Sequence, residues 1–596
     1  MSAGVKYGLM AWLGTFFLFV CVAHGNFETT DAGFTMHAAR ALWHRGDSAL
    51  LTRQESEGQE GVLIGELEGA AFIKQSERLQ TEGKGMRSCG MTGVDGLVYV
   101  WFPMGHVFLL SPVVPLGDAV GRWLPDADDR FRQRVAPVFA QSFVEGSPVA
   151  TQAVMSLLAP TMCIATSLLL LYRIARELGA DARAAVFTAL SICVATQVFS
   201  LGREQLSDGP GLTLLLAAML PVVRLHCGRG TAATALWAGA MSGCAVLVRY
   251  QTALTVVLFA LIVAAAARRR CSWRLLAAFL LGGLPLLMVF VGTNYFRYGD
   301  PLETGYPSIG DWFRADFFVG FSKMLFAAGR GVMWFSPLLW LALPAATSQR
   351  SPMRLRWLAW ALFLTPLALF STAQGWQGGQ AWAIRYVTPG VVALCALVLP
   401  QARPWDHRPR AFKAMLVVGC FVSLTSVVAP VRGQIELMSH ALRAHEQRAV
   451  AAGTLEAHQQ TVDTADVGGW HPRYSPLYRN WLYAWHSRVG GFEGADGAPS
   501  AASDQTVGAV YGVAARTPEQ ATAPLHWADR CGRHLWWRFW GDLYGVSGLL
   551  LVVPFAVLGS LLAWFGWRGL SRKQAAGLYG DAGSTGSASS SDSSAG

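Results

Sequence analysis

Two runs of the chain, "LLAAFLLGGLPLLMVFVGTNYF" (275–296) and "LLLVVPFAVLGSLLAWFGW" (549–567), carry no charged residue over their whole length. A helix needs roughly 20 apolar residues to cross the hydrocarbon core of a bilayer, and an uncharged run of that length has no comparable role in a soluble domain. The remaining composition agrees. Only 14% of the 596 residues are charged against 53% hydrophobic, whereas soluble domains carry about 25% charged residues. An all-α polytopic membrane protein is expected, because in lipid a helix satisfies every backbone polar group internally.

About twelve spans are read, near 8–23, 150–172, 184–202, 210–223, 231–248, 252–267, 275–294, 331–347, 357–372, 387–400, 414–431 and 544–567. Alternate connections are basic: "RIARELGADAR", "RLHCGRG", "RRRCSWR", "SQRSPMRLR", "RPWDHRPRAFK" and "RGLSRKQ". The positive-inside rule puts them in the cytoplasm together with both chain termini. The net charge of +10 is therefore a topological bias and calls for no nucleic-acid partner. The first span has no small-x-small cleavage site and reads as an uncleaved anchor. The expected organisation is a membrane core over 1–431, with a large first outer loop at 24–149. An outer segment at 432–543, a last span at 544–567 and a polar, disordered tail at 568–596 follow.

Cys89 and Cys531 fall in outer loops; on an oxidising side they could pair, or they stand as two free thiols. No Cys/His spacing suggests zinc.

The positions of the charges limit the function. The expected spans are almost free of ionisable residues at mid-depth, where ion-coupled transporters bind their coupled charge. Charges collect instead at outer span ends: Glu28, Asp31, Arg203, Glu204, Asp208, Arg249, Arg297, Arg330 and Arg385. After Asp31 the apolar residues Phe34, Ala38, Ala41 and Leu42 recur at helical spacing. The pattern predicts a juxtamembrane helix with its apolar face in the lipid interface. Asp31 itself reads either as the N-cap of that helix or as a general base. A second interfacial or re-entrant segment is expected over 95–118.

Five stretches in order resemble the GT-C superfamily of integral-membrane glycosyltransferases, whose members include protein O-mannosyltransferases and aminoarabinose transferases. They are the acidic residue past the first span, "DGLVYVWFPMGHVFLLSPVVPLG", "SLGREQLSDGPGLTLLLAAM", the pair "NYFRYGDPLETGY" and "GRGVMWFSPLLWLALPA", and "GWQGGQAWAIRYVTPGVVAL". Together they cover most of residues 1–400, and 432–543 matches no motif. The chain departs from the pattern at Ala32, where a second acidic residue is usual, and at His106, beside Gly105, where relatives keep apolar residues.

The resemblance implies a GT-C-type fold and transfer, with inversion, of a hexosyl or pentosyl group from a polyprenyl-phosphate-sugar donor. The acceptor would be an extracytoplasmic lipid, glycan or protein. Asp31 would be the base. Glu28, Arg203, Arg249, Arg385, Tyr386 and Trp376 would surround the donor, and His106 reads as a packed histidine or a site residue. Arginines at span ends also serve simply to reach lipid headgroups. Glu204 and Asp208 would orient the acceptor, hold a divalent cation as in some relatives, or cap the helix that follows. Rival readings are a flippase of lipid-linked saccharides, which needs polar residues at mid-membrane, and a non-catalytic scaffold of the same fold.

Overall fold

The computed structural model describes residues 3–25, 30–49, 90–95, 97–131, 149–305, 309–348, 353–373, 382–429, 475–481 and 534–580. These residues are almost entirely helical. The helices are α1 (Ala3–Val20), α2 (Thr30–Arg45), α3 (Met104–Leu110), α4 (Val114–Trp123), α5 (Val149–Glu177), α6 (Ala182–Ala195), α7 (Asp208–His226), α8 (Ala232–Val248) and α9 (Ala253–Arg269). They continue as α10 (Arg274–Tyr298), α11 (Phe317–Phe326), α12 (Leu339–Thr347), α13 (Met353–Ser371), α14 (Thr388–Ala402), α15 (Pro409–Val428), α16 (Trp536–Tyr544) and α17 (Gly548–Gly580). Among the described residues, nine helices are long and apolar enough to cross a membrane and four shorter apolar helices accompany them. One of the nine, Met104–Trp123, lies in the first loop, over the stretch read from sequence as interfacial or re-entrant.

The expected span at 331–347 is divided. Val332–Phe335 ends before Ser336 and α12 begins at Leu339, because Pro337 cannot continue the ladder; the Leu338 N–H instead reaches the Ala195 carbonyl at 3.1 Å. The last helix departs in the other direction. It runs to Gly580 rather than stopping at 567, through Lys573, Gln574, Ala575 and Ala576, all good helix formers.

Three of the basic connections meet on one face. Arg224, ending α7, pairs with Glu177 of α5 at 2.6 Å, and Arg403, after α14, pairs with Asp181 at 2.8 Å. Asp181 also caps α6 by accepting the Ala184 N–H at 2.8 Å. Between this face and the opposite one, α14 is buried along nearly all its length, with Val391, Leu394, Cys395 and Leu397 inaccessible. By contrast, α10 presents Leu280, Leu281, Leu287 and Met288 outward, as a lipid-facing span should. It touches α8 backbone to backbone: a Cβ on Gly239 would lie 1.8 Å from the Phe279 carbonyl oxygen.

The first-loop helix differs from expectation. Phe34, Ala38 and Ala41 of α2 are buried, and Phe34 and Ala38 pack against Met104, Val107 and Leu110 of α3 and Met155 of α5, not in lipid. The two faces are complementary apolar surfaces, and burying them against each other removes both from water. A short antiparallel hairpin, β1 (Gly90–Thr92) with β2 (Val98–Val100), precedes α3. Arg297 of α10 pins it, donating to the Val100 carbonyl at 2.9 Å and to Asn294 Oδ1 at 2.9 Å, while the Tyr298 hydroxyl donates to the same carbonyl.

Two tryptophans of α16 hold the end of α1. Trp536 and Trp537 donate their indole N–H groups to the Val20 and Cys21 carbonyls, at 2.6 and 3.0 Å. They thereby satisfy acceptors left open where α1 ends. Cys89, Cys531 and the loop tryptophans Trp470, Trp485 and Trp527 lie outside the described residues.

Candidate active site

The site is built where the ends of α2, α3, α7 and α8 meet the turn Arg385–Val387, on the face opposite the basic connections. Arg249 caps α8 with an extended backbone (φ −154°), so its side chain leaves the helix axis; the Thr252 hydroxyl donates to its carbonyl at 2.8 Å. Across from it, Asp208 opens α7. Its Oδ1 lies 2.5 Å from Arg249 Nη1, an ion pair rather than an aligned hydrogen bond, since that oxygen has no hydrogen-bond partner of acceptable angle. The other oxygen, Oδ2, lies 3.5 Å from Arg385 Nη1.

Arg385 is placed by its neighbours. Gln197, after α6, donates to the Ile384 carbonyl at 3.2 Å and to the Thr388 hydroxyl at 2.6 Å, which fixes both sides of the turn. The Tyr386 ring sits 5.7 Å from the Arg249 guanidinium carbon and 5.8 Å from that of Arg385, and it stacks on Phe370 at 4.8 Å. One aromatic ring thus serves two cations.

Glu204, in the turn before α7, is buried and accepts the Trp382 N–H at 3.2 Å. Burial, then the neighbouring Asp208 carboxylate, push its carboxyl up to about 7, against the opposing pull of Trp382, Arg385 and Arg203. Arg330 belongs to the same group of charges. Burial and the charge of Arg385 push it down to about 10, while Glu204 and Tyr386 act the other way.

The two arginines line a small cleft together with Thr35, Phe102, His106, Gln205, Ser207 and Gln251. His106 is buried at this wall; Gly105 beside it allows α3 to approach α8, because a Cβ there would fall 2.5 Å from the Leu247 carbonyl carbon. A far larger, apolar groove of about 1960 Å³ runs between α8, α9 and α10, bounded also by Phe370. Gln251 lines both spaces.

Arg203 does not join the cluster as the sequence suggested. Its Nε donates to the Val22 carbonyl at 2.7 Å, Nη1 to the Ser426 carbonyl, and Nη2 lies 2.6 Å from His24 Nε2. The guanidinium is occupied by the open carbonyls at the ends of α1 and α15 and ties those ends together. Arg297 is likewise taken up by the hairpin. Glu28 and Trp376 lie outside the described residues, and of Asp31 only the backbone is described: it stands in the first turn of α2, one turn before Thr35. No three His, Cys, Asp or Glu side chains gather as a metal centre would require, among the described residues. Asp208 already faces two guanidiniums, an arrangement suited to an anion rather than to a divalent cation.

Sequence reasoning missed Thr35, Phe102, Gln205, Ser207 and Gln251 as site neighbours. Gln205, Ser207 and Gln251 stand within two positions of charges it had singled out, which was the available signal.

Residues 150–295 match the family model described as dolichyl-phosphate-mannose-protein mannosyltransferase. That segment spans α5 to most of α10 and holds Arg203, Glu204, Asp208 and Arg249, so the likeness to GT-C membrane glycosyltransferases seen in the motifs is met there independently. No match to a curated protein is found. Two solved structures of ArnT from Cupriavidus metallidurans are similar. The form bound to undecaprenyl phosphate is 12% identical, with 97% of this chain and 80% of that one covered and a TM-score of 0.41. The apo form is 15% identical, with 94% and 76% covered and a TM-score of 0.40.

Proposed function

We propose that the protein is a GT-C-type glycosyltransferase that takes a hexosyl or pentosyl group from a polyprenyl-phosphate donor and delivers it, with inversion, to an acceptor on the outer side of the membrane. The acceptor would be an envelope lipid, glycan or protein. One observation carries the reading: Arg249 is almost wholly buried, yet its Nη2 has no hydrogen-bond partner among the described residues, and it lines a cleft at the head of an apolar groove. An amphiphile with an anionic head matches both spaces. Its isoprenoid chain would lie in the groove, and its phosphate would meet the guanidiniums of Arg249 and Arg385, whose planar forks suit phosphate oxygens.

In this reading the acceptor hydroxyl or amine attacks the anomeric carbon from the face opposite the phosphate. The new bond forms as the bond from carbon to phosphate oxygen breaks, and its electron pair leaves on the polyprenyl phosphate held by the arginines. The acceptor's proton passes to Asp31, at the head of the helix whose next turn bears Thr35 in the cleft wall. General-base assistance of this kind contributes about 10²–10⁴ in rate.

Reconstituted in proteoliposomes with a labelled polyprenyl-phosphate sugar and envelope extract, the wild-type protein should transfer label. Asp31→Asn should lower transfer at least about 100-fold. Asn caps a helix as well as Asp does, so undiminished transfer by that variant would reduce Asp31 to a cap and overturn its role as base.

A further inference from the structure

Asp208 presents an arrangement that holding arginines in place does not require. Its two carboxylate oxygens are divided between two guanidiniums, Oδ1 on Arg249 and Oδ2 on Arg385, and both cations line the cleft while Asp208 itself is buried beneath it. Two anionic oxygens shared between two cations is how a phosphate group would sit on the same pair. Resting on the phosphate-binding reading of Arg249 and Arg385, we propose that Asp208 is a resident counter-ion that competes with the lipid phosphate for these two arginines and so sets how readily polyprenyl phosphate leaves after transfer.

The physical ground is charge balance in a poorly solvated place. Two guanidiniums with no carboxylate would hold a departing phosphate in surroundings where each charge pair counts for much more than in water. The leaving group would be well stabilised, and the product would then stay bound. A carboxylate fixed to the first turn of α7 weakens that hold by one negative charge without removing the cations needed during bond cleavage. The Tyr386 ring beneath both guanidiniums keeps them in place when Asp208 gives one up.

The idea predicts a sign. Asp208→Asn keeps the size of the side chain and removes the competing charge, so it should bind undecaprenyl phosphate about tenfold more tightly. Binding of radiolabelled undecaprenyl phosphate to the full chain in nanodiscs measures this at one fixed pH. In single-turnover experiments the first turnover should remain fast while later ones slow. Asp208→Glu, which restores the charge, should return affinity toward the wild-type value and checks that tightening is not a by-product of disturbed folding. Weaker binding by Asp208→Asn would show that Asp208 merely positions the arginines, and unchanged binding would show that it does not compete; either overturns the inference. Arg249→Gln separates this from failure of the underlying reading. If that variant binds undecaprenyl phosphate normally, the phosphate does not rest on Arg249 at all. If it loses binding while Asp208→Asn fails to tighten, only the counter-ion role falls.

Discussion

Asp208 and Arg249 meet at 2.5 Å although their side chains are only 3% and 6% exposed. They come from the start of one helix and the end of the next, so the pair records how α7 and α8 pack as well as what they can bind. A buried pair of this kind adds little net stability, but removing one partner strands the other's charge.

For Arg249→Gln we therefore expect two losses. Stability should fall by about 3 kcal/mol, the lower end for a broken buried pair, because Arg385 still faces Asp208. Transfer should fall by about 10²–10³, the usual cost of removing one donor to a developing oxyanion. Thermal unfolding in detergent and initial rates measure the two, and Arg249→Lys should recover stability more fully than rate because it lacks the fork.

The groove can be narrowed at a position whose first side-chain atom fits. A Cβ at Gly283 meets the Gly239 carbonyl oxygen at 3.5 Å, an ordinary contact, and Gly283 faces the groove. Gly283→Leu should raise KM for a long-chain donor about tenfold with little change in kcat, and leave a donor of two isoprene units nearly unaffected. Gly239→Ala is the opposite case. Its Cβ would lie 1.8 Å from the Phe279 carbonyl oxygen, so the helices must part, at a cost of about 1–3 kcal/mol or more.

Glu204 gives a pH dependence with a definite sign. Its carboxyl titrates at about 7 in the folded chain against an ordinary value of 4.5, so the folded state holds a proton that the unfolded state releases. The stabilisation from the neutral form is fully present below 4.5 and is lost as pH rises through about 7, up to about 3 kcal/mol. Unfolding midpoints in detergent should fall between about pH 5 and pH 8. Glu204→Gln should flatten that fall.

Arg297 acts on the site at a distance, through the hairpin it pins. Arg297→Ala removes one of the two donors to the Val100 carbonyl, leaving Tyr298, and the donor to Asn294, which loosens the segment that leads into Phe102 and His106 at the cleft wall. Transfer should fall about tenfold or more, with the groove's affinity for polyprenyl phosphate unchanged. Arg297→Lys should restore only part of the rate, since Lys lacks the planar fork that reaches the two acceptors from separate nitrogens.

Most spans between 150 and 298 were readable because each is an apolar run closed by Arg or Gly: the expected 231–248 and 252–267 became Ala232–Val248 and Ala253–Arg269, whereas the expected 184–202 ends at Ala195 and a short helix, Val198–Leu201, follows it. The broken helix around Pro337 and the packing of α2 onto protein rather than lipid were not. A one-dimensional apolar pattern reports that a face is hidden, not what hides it. The same limit governs the charges. Arg203, Arg249, Arg297 and Arg385 look alike in sequence, but backbone carbonyls occupy Arg203 and Arg297, whereas Arg249 and Arg385 share a carboxylate at a cleft. Open carbonyls at helix ends leave no residue-level mark, so only the fold could separate the two kinds.

The most direct test is photocrosslinking. A polyprenyl phosphate carrying a diazirine near its first isoprene unit would be irradiated with the full-length protein in nanodiscs, and the labelled peptides mapped by mass spectrometry. The account predicts label on α8, α9 and α10 around Leu247, Tyr250, Leu254 and Phe290, displaced by excess unlabelled polyprenyl phosphate and strongly reduced in Arg249→Gln. Label confined to other helices, or unchanged in that variant, would contradict it.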